Sequence, residues 1–401
     1  MPAPDRNDKT PFPMVAKTLF GCEDILAEEL TALGAQEITK LNRSVKFHGD
    51  KHLLYNANLR CRTATRILKP VHRFRATDAN ELYRNVRRID WMKYINVRQT
   101  IAVDAVIVNS GFDNSLFVAQ KTKDAIADYF RQKTGRRPSV DIKQPDIRIN
   151  VYINQSECTL AIDSSGDPLF RRGYRAGGGK APLSEVLAAG LVLQSGWDRE
   201  SSFVDAMCGS GTIVIEAALI ARHIAPGLTR RKFGFMNWPD YDKKMFDNIR
   251  SQARAEIIPR LDFEIAGSDI DPKQVDLARD NAERAGVDRD ITFRQSPLID
   301  LMPPPPPGVL LINPPYGERL AVEDVNESYH LIGDAFKKNF TGYDAFVFTG
   351  NAAAAKHIGL RTSRRIQLYN GPIECRLLKF EMYKGTRKIK GSDPDAQEPS
   401  D

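Results

Sequence analysis

The segment Asn313-Pro314-Pro315-Tyr316 has side chains suited to chemistry on a planar amine. The exocyclic amine of a nucleobase is a weak nucleophile because its lone pair is delocalised into the ring. The Asn313 side-chain oxygen and the Pro314 carbonyl can accept hydrogen bonds from such an amine, and Tyr316 can stack on the base. The two prolines fix the backbone between them. We therefore expect these four residues to hold a base during in-line methyl transfer from a sulfonium, a step that depends on positioning.

The same segment weighs against one related chemistry and leaves others open. Methylation at carbon 5 of cytosine requires a cysteine nucleophile in or near this loop, and the sequence has none there. An adenine amine in DNA or a glutamine amide in a protein presents a similar planar NH2 group. The motif alone therefore does not choose among these acceptors.

A second motif runs from Phe203 to Thr212 (FVDAMCGSGT) and predicts a buried strand, a glycine turn and the start of a helix. Glycines let the backbone approach a ligand closely, and a helix N-terminus offers free N–H groups. The run lacks the third glycine of the dinucleotide fingerprint and the lysine of a P-loop, so a phosphate cradle is not expected. The acid at position 205 suits a ligand with a positive charge and an amino group, such as S-adenosylmethionine.

The run Gly267–Pro272 (GSDIDP) places an acid, Asp269, at the end of the next predicted strand. An acid at that point can accept hydrogen bonds from both ribose hydroxyls of an adenosine ligand. Pro272 suits the first turn of the following helix. The alternative is an ordinary strand–helix turn in which an aspartate caps the helix.

Short apolar strands that alternate with helices of about 10–15 residues must position these motifs. This pattern starts near residue 166 and predicts a parallel sheet with helices on both faces, closed by an antiparallel pair at RRIQLYN and IECRLLKFEMY. Residues 14–60 read as strand, helix, strand. Residues 61–165 read as a second α+β pattern with a strand at TIAVDAVIV, a helix at Phe117–Arg131 and two strands joined by a short turn. The predicted organisation is a disordered lead (1–13), two α+β modules (14–60 and 61–165), an α/β domain (166–385) and a disordered tail (386–401).

The charge of the chain is concentrated in its amino-terminal part. The 401 residues include 58 Lys+Arg and 51 Asp+Glu, whereas residues 51–100 alone hold 12 basic and 3 acidic residues. Such an excess favours a polyanion partner, with nucleic acid as the first hypothesis, although a solvated arginine-rich surface is the alternative. Residues 251–350 are acidic, with 10 basic and 17 acidic residues.

Composition also excludes several classes of protein. The longest apolar stretch, Val186–Leu193, is far shorter than the about 20 residues of a membrane-spanning helix, so we expect no membrane segment. The N-terminus lacks the apolar core of a signal peptide. Five scattered cysteines without a CxxC pair fit a reducing cytoplasm, and the six histidines show no metal-ligand spacing, so no metal is expected.

Several segments in order, including FGCEDILAEEL, NLRCRTATRIL, DAMCGSGT, GSDIDP, NPPYGERL and YNGPIEC, resemble the THUMP-domain class I S-adenosylmethionine-dependent RNA methyltransferases. Among these the chain is most similar to the bacterial 23S rRNA guanine-N2 methyltransferases, over roughly residues 14–385. The resemblance implies a class I methyltransferase fold: an α/β, Rossmann-like sheet, mostly parallel with an antiparallel last strand. It also implies ferredoxin-like and THUMP RNA-binding modules before that sheet.

The resemblance also implies roles for individual residues. The target guanine would be held by Asn313, Pro314, Pro315 and Tyr316. The implied cofactor contacts are Pro182, Asp205, Met207, Cys208, Gly209, Gly211, Thr212, Asp269, Ile270 and Ser296. The implied RNA contacts, in line with the basic window, are Arg84, Arg87, Arg88, Arg136, Arg137, Arg172 and Arg175.

Three departures from the family pattern qualify this expectation. Ala206 stands where relatives commonly have proline, and Ser296 stands where an acid often binds the adenine amine. Some relatives carry a second methyltransferase domain, whereas this sequence predicts a single domain and a single modification.

The predicted function is methyl transfer from S-adenosylmethionine to guanine N2 of 23S rRNA, either naked or in a ribosomal precursor particle, in the cytoplasm. A tRNA guanine-N2 methyltransferase and a noncatalytic RNA-binding assembly factor are the alternatives. The sequence leaves the oligomeric state open.

Overall fold

A computed structural model describes residues 10–175, 183–315 and 322–383. The predicted lead and tail lie largely or wholly outside these ranges. The strands are β1 Phe12–Lys17, β2 Gln36–Leu41, β3 Ser44–Gly49, β4 Arg66–Arg75, β5 Thr100–Val108, β6 Ser139–Val140, β7 Ile147–Asn154, β8 Glu157–Asp163, β9 Ser202–Asp205, β10 Ile265–Asp269, β11 Ile291–Gln295, β12 Gly308–Ile312, β13 Tyr343–Thr349, β14 Arg364–Asn370 and β15 Ile373–Glu381. The α-helices are α1 Glu23–Ala32, α2 Lys51–Arg60, α3 Ala79–Arg88, α4 Ser115–Thr134, α5 Glu185–Gln194, α6 Thr212–Ala221, α7 Lys243–Ala255, α8 Pro272–Ala285 and α9 Val322–Asn339.

The amino-terminal half forms one mixed sheet in the order β2-β3-β1-β4-β8-β7-β5-β6. Strand β4 joins its two halves, because it pairs antiparallel with β1 on one side and with β8 on the other. The sequence analysis did not predict β4, since its residues (RILKPVHRFR) lack an apolar alternation and include a proline. The register shifts between Pro70 and His72, as expected where a proline cannot donate to the ladder.

The helix predicted at Phe117–Arg131 is confirmed and is longer, as α4. The residues at its two ends explain its bounds. The Asn114 side chain accepts a hydrogen bond from the Phe117 backbone amide, which caps the first turn. Gly135 follows with a φ of 71°, the left-handed conformation that ends many helices. The predicted strands β5, β7 and β8 are also present, and β7 and β8 form the expected antiparallel pair.

The carboxy-terminal half forms a second sheet in the order β11-β10-β9-β12-β13-β15-β14. Strands β9 to β13 run parallel to one another, whereas β15 is antiparallel to both β13 and β14. The predicted α/β architecture with an antiparallel terminal pair is therefore confirmed. Because the inner strands are parallel, the residues that follow them meet at one edge of the sheet.

The two halves share buried side chains rather than meeting through a linker alone. The segment between α6 and β10 packs on the first sheet's helices, where the Phe235 ring stacks on Tyr55 with centroids 4.3 Å apart. At a second contact, a Cβ added to Gly190 of α5 would lie 2.9 Å from the Cys22 sulfur. A side chain at position 190 would therefore separate the halves. No helix within the three described ranges is long and apolar enough to span a bilayer.

Candidate active site

The turn between β9 and α6 is tied to the end of β10 by hydrogen bonds. The Cys208 amide donates to the Ser268 carbonyl at 2.9 Å, and the Gly209 amide donates to Asp269 Oδ2, also at 2.9 Å. The predicted glycine turn and the predicted acidic strand end therefore form one structure.

The two glycines of this turn serve different purposes. Gly209 has a φ of 50°, and no atom lies within 4 Å of the position that its Cβ would occupy, so open space adjoins it. Gly211 has a φ of 81°, and its Cβ would lie 2.9 Å from the Ala278 Cβ on α8. Gly211 is therefore required for helix packing, whereas Gly209 leaves room for a ligand.

Asn281 is a supporting residue that the sequence analysis missed. It lies buried on α8, and its side-chain amide donates to the Ser210 carbonyl at 2.9 Å, which braces the glycine turn from behind. An asparagine within a polar helix gives no sequence signal, because its partner is distant along the chain.

Asp205, the last residue of β9, is a buried acid without a cationic partner among the described residues. It is 1% exposed, and Oδ1 accepts a hydrogen bond from the Met207 amide at 3.2 Å. Burial, reinforced by the negative charge of Asp269, raises the pKa of Asp205 to about 8. A ligand ammonium group would supply the missing partner.

Beside Asp205 lies the end of β10, which offers both polar and apolar groups. Asp269 accepts a backbone hydrogen bond on each carboxylate oxygen, from Gly209 and from Asp271. Ile270 follows and is 69% exposed, an unusual position for a large apolar residue. The Ser296 amide donates to the Asp269 carbonyl at 3.1 Å, and its hydroxyl donates to the Pro297 carbonyl. An adenosine group would find an acid and an apolar surface here.

The side chain that follows β12, Asn313, has a buried oxygen without a hydrogen-bond donor in the described part of the chain. Asn313 Oδ1 is buried and has no hydrogen-bond partner among the described residues. Pro314 is buried and Pro315 is exposed, whereas Tyr316 lies outside the described residues, as does Pro182. A buried acceptor without a donor costs about 1–3 kcal/mol, so Asn313 fits a ligand that carries an amine.

Asp269, Asp205 and Asn313 lie at the ends of three adjacent parallel strands, β10, β9 and β12. Neighbouring strands are about 4.8 Å apart, so the outer two residues are separated by roughly 10 Å across the sheet edge. Two acids and one amide oxygen acceptor are therefore brought together at one edge of the sheet.

Comparison with known proteins places this site in a family. The model described as RMKL-like, methyltransferase domain, matches residues 172–379. A THUMP domain matches residues 76–163, and the RlmL ferredoxin-like domain matches residues 13–68. The chain belongs to the RMKL-like methyltransferase family. The expected class I methyltransferase fold and the two preceding modules are confirmed, and β4 crosses the border between those modules.

Individual relatives of this methyltransferase family differ in length. The ribosomal RNA large subunit methyltransferase K/L of Syntrophotalea carbinolica is 42% identical over 93% of the chain, but this chain spans only 54% of that protein. The Synechocystis protein slr0064, whose name contains the words RNA methyltransferase, is 41% identical over 96% of the chain and is matched along its whole length. The crystal structure of SMU.472, complexed with SAH, has a TM-score of 0.84 and 32% identity over 94% of this chain and all of that one.

Arg172 is buried inside the protein, which contradicts its predicted role as an RNA contact. The residue is 1% exposed, its Nε lies 2.8 Å from Glu216 Oε1 on α6, and its Nη2 donates to the Arg62 carbonyl. It was misassigned because the charged run RRGYR gives no sign of a buried acid far along the chain.

Arg175 is likewise engaged within the protein. Its Nε lies 2.8 Å from Glu185 Oε1 at the start of α5, and its guanidinium donates to the Leu183 carbonyl. The guanidinium also reaches Thr212 Oγ1 at 3.4 Å, beside the glycine turn. These contacts place Arg175 at the joint between α5 and α6, and its role in RNA binding stays a prediction.

The remaining predicted RNA contacts are exposed and belong to neighbouring elements. Arg84, Arg87 and Arg88 lie on α3, which packs against α4, and Arg87 Nη2 donates to Gln132 Oε1 at 3.2 Å. Arg136 and Arg137 are exposed just after α4 ends. The structure therefore brings two arginine groups that are distant in sequence to one side of the first sheet. Their role in RNA binding stays a prediction.

Proposed function

We propose that this chain transfers a methyl group from S-adenosylmethionine to the exocyclic N2 amine of a guanine in 23S rRNA. The observation that carries this proposal is the unsatisfied Asn313 oxygen at the same sheet edge as the unpaired acid Asp205. The name of the Syntrophotalea relative supports the choice of large-subunit rRNA. We assign RNA binding to residues 14–165 and catalysis to residues 166–385, in a cytoplasmic protein.

The residues at the edge fit the proposed cofactor. The Asp205 carboxylate would pair with its ammonium, the open space at Gly209 would admit its amino-acid part, and Asp269 would accept its ribose hydroxyls. The exposed side chain of Ile270 would cover one face of the adenine. The SAH found in the SMU.472 structure supports this assignment. When bound, the cofactor supplies an electrophilic methyl group on a positively charged sulfur.

The chain's part in the reaction is to orient the amine. Asn313 Oδ1 and the Pro314 carbonyl accept hydrogen bonds from the two amine hydrogens, which leaves the nitrogen lone pair directed away from them. Positive charge develops on this nitrogen as its bond to carbon forms and the carbon–sulfur bond breaks, and the two acceptors then bind more strongly. The methylated nitrogen afterwards releases one proton to water. The Asn313 oxygen is buried and has no partner among the described residues, so no existing hydrogen bond must break before it accepts one from the amine.

The direct test identifies the methylated nucleoside. The protein would be incubated with labelled S-adenosylmethionine and either unmodified 23S rRNA or unmodified tRNA, and the labelled nucleoside would be identified by mass spectrometry. We expect N2-methylguanosine from the rRNA alone, at a rate lowered about 10²–10³-fold by Asn313→Ala. Label in tRNA would contradict the assignment of rRNA as the substrate, and label in adenosine would contradict the assignment of guanine as the target base.

One further outcome would favour the noncatalytic alternative. Absence of label from naked rRNA and from precursor particles, together with measurable cofactor binding, would argue against methyl transfer and for an assembly factor. Absence of cofactor binding would reject the proposal at its first step.

A further inference from the structure

The hairpin of β14 and β15 projects beyond the candidate active site. Ile312 of β12 pairs with Val347 of β13, so Pro314 is level with Thr349, which in turn faces Arg376 of β15. Since β15 is antiparallel, its first residue, Ile373, lies three residues past that level. At about 3.4 Å per residue and 4.8 Å per strand, Ile373 is displaced roughly 10 Å outward and 10 Å sideways from Pro314.

The tip of this hairpin presents an apolar residue to solvent. Gly371, at a φ of 60°, makes the turn, and Pro372 and Ile373 follow it in exposed positions. Ile373 is 43% exposed. Glu374 and Arg376, also exposed, lie 3.7 Å apart, so the one acid near the tip has a cation beside it.

The ferredoxin-like module reaches the same hairpin. The Arg43 guanidinium, from the turn between β2 and β3, lies 5.6 Å from the ring centroid of Tyr369. The Phe20 ring meets Tyr369 edge to face, with centroids 5.3 Å apart. An RNA-binding module and the catalytic domain therefore form one continuous surface beside the active-site edge.

Glu23 on α1 holds the two loops of that surface together. Its Oε1 accepts a hydrogen bond from the Arg43 amide at 2.8 Å, and its Oε2 accepts one from the Gly21 amide at 2.7 Å. Phe20 and Arg43 are therefore held in place before any partner binds, which reduces the entropy cost of binding.

We propose that Phe20, Arg43, Tyr369 and Ile373, here called the hairpin surface, bind an unpaired RNA segment next to the target guanine. This inference rests on the proposed function. Aromatic rings and a guanidinium are the groups on which single-stranded bases stack, and Arg43 also neutralises a phosphate. An exposed apolar side chain such as Ile373 can occupy the gap that a displaced base leaves in its stack. The hairpin surface thus links RNA binding to presentation of the base.

Ultraviolet cross-linking of the full-length protein to an unmodified 23S rRNA transcript tests this surface without requiring turnover. We expect mass spectrometry to find RNA cross-linked to peptides that contain Phe20 or Tyr369. In parallel, Arg43→Ala and Tyr369→Ala should each lower kcat/KM for the transcript about ten-fold, while the Kd for S-adenosylhomocysteine stays within two-fold. The matched control is Arg289→Ala, an exposed arginine just before β11 at the opposite edge of the sheet, which should change neither quantity.

The outcomes separate this inference from the proposed function. Cross-links at Tyr369 without methylation would support the hairpin surface and reject the proposed activity. Methylation with unchanged kcat/KM in both variants would reject the hairpin surface alone. A lower thermal midpoint in these variants with unaltered RNA contact would show that Arg43 and Tyr369 only join the modules, which also rejects it.

Discussion

Asp163 and Asp205 each end a buried strand, but the protein surrounds them differently. Asp163, at the end of β8, forms an ion pair with Arg66 and accepts a hydrogen bond from the Ser165 amide at 2.8 Å. Asp205, at the end of β9, accepts one from the Met207 amide and faces the negative Asp269. Burial raises the pKa of both carboxyl groups, but the Arg66 charge opposes that rise for Asp163 alone.

Two asparagines repeat this contrast. Asn58 is buried in the first half, where its amide donates to Ser164 Oγ at 2.8 Å and its oxygen accepts from Ser165 Oγ at 2.7 Å. The Asn313 oxygen in the second half has no partner among the described residues. Buried polar groups are ordinarily satisfied. We therefore infer that Asn58 serves folding, whereas the unpaired Asn313 oxygen is the one proposed to receive a ligand amine.

The strongest test of this contrast exchanges each asparagine for alanine. We expect Asn313→Ala to lower kcat by about 10²–10³-fold, as loss of a hydrogen bond that strengthens in the transition state does. Its Kd for S-adenosylhomocysteine should change less than three-fold, because the partner of Asn313 is the base. Asn58→Ala should instead lower the thermal midpoint and leave kcat of the folded protein unchanged.

Calorimetric titration with S-adenosylhomocysteine completes this test. An equal loss of cofactor affinity and turnover in Asn313→Ala would assign the residue to the cofactor and contradict the proposed role. A loss of kcat in the folded Asn58→Ala protein would contradict the assignment of Asn58 to folding alone.

The next largest effect is expected for Asp205→Asn, which removes a charge but preserves the shape. A hydrogen bond to a charged group is worth about 1.5–3 kcal/mol, so the Kd for S-adenosylhomocysteine should rise roughly 10- to 100-fold. Isothermal titration calorimetry measures this directly. A Kd within two-fold of the wild-type value would show that another group binds the ammonium.

The raised pKa of Asp205 also predicts a pH dependence of cofactor affinity. With a pKa of about 8, the free protein carries this acid mostly protonated at neutral pH, and a neutral acid pairs poorly with an ammonium. Affinity should therefore rise between pH 6 and pH 8 as the proton is lost. The side chain of Asp205→Asn has no proton to lose, so measuring cofactor affinity against pH for this variant isolates the contribution of Asp205. Identical pH profiles for the variant and the wild type would contradict the assignment of the pH dependence to Asp205.

Asp163→Asn should affect stability and leave the active site intact. Removing the charge leaves Arg66 without its ionic partner, at an expected cost of about 1–3 kcal/mol. Differential scanning fluorimetry should show a lower melting midpoint, whereas S-adenosylhomocysteine affinity should be unchanged. Loss of cofactor affinity with an unchanged midpoint would reverse the roles assigned to the two acids.

Sequence patterns predicted the position of the residues that we propose to bind the ligand better than that of the buried, paired residues. Asp205, Asp269 and Asn313 each follow a short apolar strand, and the topology of a parallel sheet then fixes their common edge. Strand β4 and the buried Arg172 escaped prediction because their environments depend on partners far along the chain. Local periodicity does not encode such partners, so a basic strand at the centre of a sheet looks like a solvated segment.

The smallest effects per residue are expected for the exposed arginines of α3, because replacing them changes no buried group. Replacing Arg84, Arg87 and Arg88 by glutamine should weaken binding to a 23S rRNA transcript. It should also reduce the magnitude of the slope of log affinity against log salt by about 2–3, because fewer counterions are released on binding when phosphate contacts are lost. Filter binding at several salt concentrations measures this slope, and glutamines at the exposed Arg254, Arg284 and Arg289 provide a control of equal charge. An unchanged slope would show that the basic face of α3 is only a solvated surface. RNA binding by the first half would then depend on other residues, with Arg136, Arg137 and the hairpin surface as the remaining candidates.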